Sequence, residues 1–84
     1  MPQGFVYIIY SESWGRYYVD STQDIETRLE QHNSGRNKST KGGVPWILKY
    51  SESFDEIAYA RRRELELKKK KSRKYLEWLI SSAG

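Results

Sequence analysis

Residues 5–33, FVYIIYSESWGRYYVDSTQDIETRLEQHN, decide how the rest of the chain is read. The first strand is expected over residues 4–11, with Phe5, Tyr7 and Ile9 pointing to one side and Val6, Ile8 and Tyr10 to the other. A strand that is apolar on both faces belongs in the middle of a sheet covered on both sides. Glu12-Ser13-Trp14-Gly15 reads as a turn whose glycine is free to take a positive φ, and residues 16–20 return as the second arm of a hairpin. In that arm Tyr17 and Val19 share one face, and Tyr18 and Asp20 share the other. Thr22 is the expected cap of a first helix, with Asp24 in its first turn and Gly35 placed to end it after Asn33. Ile25, Leu29 and His32 form its apolar stripe, and Arg28 lies beside them. Each polar residue has an ordinary reading as well: Arg28 pairing with Glu26 or Glu30, and His32 capping or packing the helix.

Working outward, RNKSTKGG (36–43) is a polar, basic loop with no apolar anchor, expected to be mobile and able to offer Lys38, Ser39, Thr40 and Lys41 to phosphates. Residues 44–50 are a third strand, with Trp46, Leu48 and Tyr50 alternating against Ile47 and Lys49. Ser53-Phe54-Asp55-Glu56 has the form of a capping box and opens a long second helix. On that helix Ile57, Ala60, Glu64 and Leu65 are expected on one face, with Arg61 on the same side. A carboxylate turned toward a core costs several kcal/mol unless it is paired or binds a cation. Glu64 is therefore either a salt-bridge partner of Arg28 or Arg61, or a metal ligand. Ser72 can cap a last helix with an apolar stripe of Tyr75, Leu76, Leu79 and Ile80, and residues 81–84 read as a frayed tail.

Composition narrows the function classes. At 84 residues the chain is expected to be one domain, 1–84. The absence of cysteine excludes disulfide staples and cysteine zinc sites, and a single histidine removes most other zinc schemes. Packing must come from the aromatic residues, three Trp, seven Tyr and two Phe. No leader or membrane-length apolar segment is legible, so a soluble, cytoplasmic protein is expected. The net charge is only +4, but Arg61, Arg62, Arg63, Lys68, Lys69, Lys70, Lys71, Arg73 and Lys74 crowd into one helical region. Such clustering suits a polyanion, because neutralised phosphates release counterions, and it equally suits a solvated helix face.

Taken together, these stretches resemble the GIY-YIG nuclease superfamily over nearly all of residues 5–80, and in particular its small single-domain bacterial branch, similar to the N-terminal domain of excinuclease C. The carriers are Phe5-Val6-Tyr7, Tyr18-Val19-Asp20, Arg28, His32 with HNSG, KST, and ARRRELELKKKKSRKYLEWLI containing Glu64. The resemblance implies an α+β fold, a small three-stranded antiparallel sheet flanked by three helices. It implies metal-dependent endonuclease action on DNA, hydrolysing phosphodiester bonds with little sequence specificity. Glu64 would hold one Mg²⁺ or Mn²⁺, and Arg28 would stabilise the transition state. Tyr7, lowered in pKa by the metal or by its neighbours, would be the general base, with Tyr18 and His32 positioning the water or sharing the proton. Lys38, Ser39, Thr40, Lys41, Arg61, Lys68, Lys71 and Arg73 would hold the DNA backbone; no membrane and no small-molecule cofactor are implied. The chain departs from the family at Phe5 and at Asp20, where glycine is usual. Asp20 is open to three readings: a second metal ligand, a carboxylate that repels phosphate and leaves a silent DNA-binding module, or a side chain turned outward at the strand end.

Overall fold

The structure, a computed structural model, describes residues 2–83. Three strands, β1 (Gly4–Ser11), β2 (Arg16–Thr22) and β3 (Trp46–Phe54), form one antiparallel sheet in the order β2-β1-β3. Helix α1 (Ile25–Asn33) lies between β2 and β3 in the chain, and α2 (Ile57–Lys70) and α3 (Arg73–Ala83) follow. The fold is α+β, as the sequence implied. The doubly apolar β1 is central, and its two faces feed separate cores. Tyr7 and Ile9 pack with Trp46, Tyr18, Ile25 and Leu29 under α1. Val6 and Ile8 pack with Val19, Leu67 and Leu79 under α2 and α3. Full burial of an aliphatic side chain such as Ile8 stabilises by about 1.5–3 kcal/mol.

Two glycines act through geometry. Gly15 takes φ +64 in the hairpin turn, where its amide donates to the Ser11 carbonyl at 2.7 Å. A Cβ on Gly4 would come within 2.6 Å of the Ile57 Cα, so its bare backbone lets α2 start directly against β1.

Several expected boundaries are corrected. Thr22 remains in β2, paired with Phe5, and Asp24 caps α1 by accepting from the Thr27 amide at 3.2 Å. The capping box does not form, because Ser53 and Phe54 extend β3 by pairing with Phe5 and Gly4; Glu56 becomes the N-cap of α2, without a side-chain hydrogen bond. Strand pairing wins in both places, since each added ladder residue also seats its side chain against the sheet. In β3 the alternation breaks at a bulge: Ile8 faces Tyr50 and Ile9 faces Leu48, leaving Lys49 extra. Trp46 therefore serves the α1 core and Tyr50 the opposite one, while Leu48 is left exposed. On α2 the buried positions are Ala60 and Leu67, and Leu65 is 61% exposed. The inward stripe is thus 57, 60, 64 and 67. Arg61 faces out and Glu64 keeps its expected inward place.

The last helix follows its expected stripe, and Ser72 caps it through the Tyr75 amide. It runs on through Ala83, where a frayed tail was expected; Gly84 lies outside the described residues. The 36–43 loop is anchored after all, through polar atoms: Thr40 is wholly buried, and Trp46 Nε1 donates to its carbonyl at 2.7 Å before a short 3₁₀ turn at Lys41–Gly43. No helix among the described residues is long and apolar enough to cross a membrane.

Candidate active site at the edge of the sheet

Strand β2 is an edge strand, with α1 on one face of the sheet and α2 on the other. Successive residues of a strand point to opposite faces, so Asp20 looks toward α1 and Ser21 toward α2. Around this edge the two halves of the site meet. Asp20, Ser21, Arg61, Glu64 and Leu65 line one open concavity.

On the α1 side, the antiparallel register sets Tyr7 opposite Asp20. Tyr7 Oη donates to Asp20 Oδ2 at 3.1 Å, and the same hydroxyl lies 2.8 Å from His32 Nε2. His32 Nδ1 is 2.8 Å from Thr40 Oγ1. Tyr7, His32 and Thr40 are all fully buried. Burial first, and the Arg28 charge second, hold the His32 pKa below its ordinary value, with Asp20 opposing, so the ring is neutral at pH 7. The bonding pattern then assigns the protons. Tyr7 has one proton to give, and it goes to the carboxylate, which can only accept. His32 Nε2–H therefore donates to Tyr7 Oη, and Thr40 Oγ1–H donates to His32 Nδ1. A one-way chain of donors runs from Thr40 through His32 and Tyr7 to Asp20.

Arg28 ends on the same atom. Its Nε and Nη2 donate to Asp20 Oδ2 at 3.2 and 3.1 Å, and its Nη1 donates to Gln31 Oε1 at 3.1 Å. Neither Glu26 nor Glu30 is its partner. Asp20 Oδ1 accepts the Ser21 amide at 2.9 Å. Asp20 does not turn outward: its side chain is 16% exposed and gathers the donors of Arg28 and Tyr7. The expectation that neighbours lower the Tyr7 pKa is reversed. Burial raises it most, the Asp20 charge and hydrogen bond raise it further, and Arg28 offsets part of the rise. Tyr18 packs its ring edge-on to His32 with centroids 5.4 Å apart and also meets Trp46 at 6.1 Å.

On the α2 side, Glu64 is paired, though with neither Arg28 nor Arg61. Its Oε1 accepts from Ser21 Oγ and its Oε2 from Lys68 Nζ, both at 2.5 Å. Lys68 also lies over the Tyr18 ring, 6.0 Å from its centroid, so it spans the two halves. Burial works against the Lys68 ammonium, but Glu64 more than offsets it and holds the pKa above its ordinary value. Among the described residues no three His, Cys, Asp or Glu side chains gather as a metal cluster. The available donor is the hard carboxylate of Glu64, facing an open concavity that Asp20 also lines. It suits Mg²⁺ or Mn²⁺, which keep several waters and use one or two carboxylates, once Lys68 has moved aside.

The expected phosphate contacts divide. Lys38 and Lys41 are exposed, and Ser39 is tied to Asn37. Thr40 is withdrawn from that role because its hydroxyl serves His32 inside the protein. Arg61 lies at the concavity, while Lys68, Lys71 and Arg73 line a groove at the other end of β2. Ser21 and the inward use of Thr40 were not foreseen. The Glu64–Lys68 pair was legible as an i,i+4 spacing of opposite charges.

Comparison with known proteins bears on the family and the fold. The family model described as the GIY-YIG catalytic domain matches residues 3–76. A UPF0213 protein of Halobacterium salinarum is 41% identical over 64 residues, covering 75% of this chain and 82% of the relative. One from Staphylococcus saprophyticus is 38% identical over 69 residues, covering 81% and 83%. The solution NMR structure of a UPF0213 protein from Bacillus halodurans superposes with a TM-score of 0.59 at 34% identity, covering 96% of this chain and 85% of that one. The chain belongs to the GIY-YIG family, a family of nuclease-type catalytic domains, and its relatives are the small UPF0213 proteins.

Proposed function

We propose that this protein is a metal-dependent DNA endonuclease that hydrolyses phosphodiester bonds with little sequence specificity. The observation that carries the proposal is the convergence at the β2 edge: Tyr7, His32 and Arg28 meet at Asp20, which shares one concavity with Glu64. GIY-YIG nucleases generally use a divalent ion; here Glu64 would hold it, with Asp20 within the same concavity. When bound, the ion supplies Lewis-acid stabilisation of charge on the phosphate oxygens.

The chain's own residues do the rest. Arg28, a planar fork of donors, contacts a non-bridging oxygen and stabilises the charge that develops there. Tyr7 orients the attacking water and, once its own phenolic proton has passed to solvent, takes the water's proton as a phenolate, whose oxygen His32 stabilises by donating to it. Thr40 holds His32 in the tautomer that this requires. Tyr18 braces the His32 ring and carries Lys68 over its face. For Tyr7 and Arg28 to act, Asp20 must leave them. Its departure removes a charge that raises the Tyr7 pKa and leaves Arg28, which lowers it. Lys38, Lys41, Arg61, Lys71 and Arg73 contact the DNA backbone, which positions the duplex without reading its bases.

The test is nicking of supercoiled plasmid in Mg²⁺ or Mn²⁺. Nicking that EDTA and Glu64→Ala both abolish is the expected result; nicking that survives either one removes Glu64 from the mechanism. One observation favours a second reading, a catalytically silent nucleic-acid-binding module. Each of the three Arg28 guanidinium nitrogens already donates to a protein acceptor. That reading predicts DNA binding without cutting, unchanged by Glu64→Ala, with activity appearing only when Asp20 is removed.

A further inference from the structure

Ser21 contacts both carboxylates of the candidate site. The register that sets it opposite Val6 turns its side chain to the α2 face of the sheet, where Val6 is wholly buried. There its Oγ lies 2.5 Å from Glu64 Oε1. A hydroxyl has one proton and a carboxylate can only accept, so that proton points at Glu64. The Ser21 amide meanwhile donates to Asp20 Oδ1 at 2.9 Å. With Asp20 Oδ2 taken by Arg28 and Tyr7, Glu64 is the carboxylate left to offer an oxygen to a cation.

The two partners of Glu64 differ in kind. Lys68, on Oε2, is an ammonium at the end of a long flexible stem, 48% exposed, and can swing into solvent. Ser21, on Oε1, has one side-chain torsion before its oxygen and stands in a strand whose place is set by pairing with β1. A cation entering the concavity can therefore replace Lys68 at Oε2 while Oε1 keeps its bond to the sheet. That bond matters because a glutamate has three torsions to order when it binds, and a site built on one carboxylate has few other protein ligands to order it. Hydrogen bonds to a ligating group supply that order.

We propose that Ser21 is a positioning residue for the metal ligand, holding the Glu64 carboxylate toward the concavity through Oε1. This rests on the reading of Glu64 as the ligand of the divalent ion. The experiment titrates Mn²⁺ into the protein without DNA and follows the free ion by its EPR signal, beside urea unfolding of the same samples in EDTA. The unaltered protein is compared with Ser21→Ala, Ser21→Thr, Glu64→Ala, Lys68→Ala and Ser21→Ala/Lys68→Ala. Ser21→Ala is expected to weaken the Glu64-dependent site about tenfold, the lower end of what loss of a hydrogen bond to a metal ligand costs. Ser21→Thr keeps the hydroxyl on a residue suited to a strand and should restore affinity to within about twofold. The loss should persist when Lys68 is also alanine; if it vanishes there, Ser21 acts only by holding off Lys68 and the inference is overturned. A lower urea midpoint in Ser21→Ala with Mn²⁺ affinity unchanged also overturns it, leaving Ser21 a structural contact and Glu64 still the ligand. Equal affinity in Glu64→Ala and the unaltered protein overturns both this inference and the reading on which it rests.

Discussion

Replacing Asp20 with glycine should make the protein less stable and more active, and the two changes have one origin. Asp20 Oδ2 takes two hydrogen bonds from Arg28, at 3.1 and 3.2 Å, and one from Tyr7 at 3.1 Å. Charge-assisted hydrogen bonds contribute about 1.5–3 kcal/mol each. The Arg28 side chain is 31% exposed and the Asp20 side chain 16%, so solvent screening reduces the pair's sum to about that of a single such bond. A phosphate that binds Arg28 must first overcome this interaction. Removing it should raise the rate of plasmid nicking by about 10–100-fold, at 1.36 kcal/mol per factor of ten. A second effect has the same sign, because loss of the Asp20 charge brings the Tyr7 pKa down toward the range of a useful base. Stability should fall by about 1–3 kcal/mol, since Arg28 loses its partner and glycine weakens a strand. Asp20→Asn, which keeps the shape and removes the charge, should fall between the two proteins in both respects. The assay is initial nicking rate in Mn²⁺ beside urea unfolding of the same samples. Lower activity in Asp20→Gly would refute the reasoning, for Asp20 would then be a metal ligand or a base and not an internal substitute for phosphate.

Other expectations follow from the buried donor chain and the Glu64 pair. Thr40→Val keeps the shape and removes the hydroxyl that serves His32, leaving a buried ring nitrogen without a donor; urea unfolding should show a loss of about 1–3 kcal/mol. Because the His32 pKa is lowered in the fold, the unfolded chain binds the proton first as pH drops below ~6.5. Stability should therefore be level with respect to this group above that pH and decline below it; thermal midpoints at pH 7 and 5 should differ more for the unaltered protein than for His32→Gln. Lys68→Ala removes the ammonium that competes with a cation for Glu64, and at saturating DNA it should lower the Mn²⁺ concentration for half-maximal nicking by up to about fivefold. Gly4→Ala should destabilise by about 1–3 kcal/mol in thermal unfolding, since its Cβ meets the backbone of Ile57.

Much of this architecture is legible from period and punctuation. The doubly apolar run at residues 5–10 marks the central strand, Gly15 marks the turn, and the 25, 29, 32 stripe carries His32 inward. What escapes is whatever depends on partners distant in sequence. Thr22 and Ser53 have the chemistry of helix caps, but pairing with the two sides of β1 claims both for strands. Leu65 is apolar and Leu67 equally so, and only the phase of α2 against the sheet buries one and exposes the other. Thr40 sits in a stretch that is otherwise polar and exposed, so nothing local distinguishes it from the phosphate-facing residue it resembles. Its partner His32 is eight residues away, and the loop folds back to reach it. Asp20 is recognisable as a departure from a glycine. That it collects both Tyr7 and Arg28 follows only from the register that sets it opposite Tyr7.

Asp20 also sets the terms on which a phosphate enters the site. A carboxylate on Arg28 sets a threshold of about 1.5–3 kcal/mol that any phosphate must overcome to enter the site. Backbone phosphates are the same in every DNA, so Arg28 alone cannot distinguish one substrate from another.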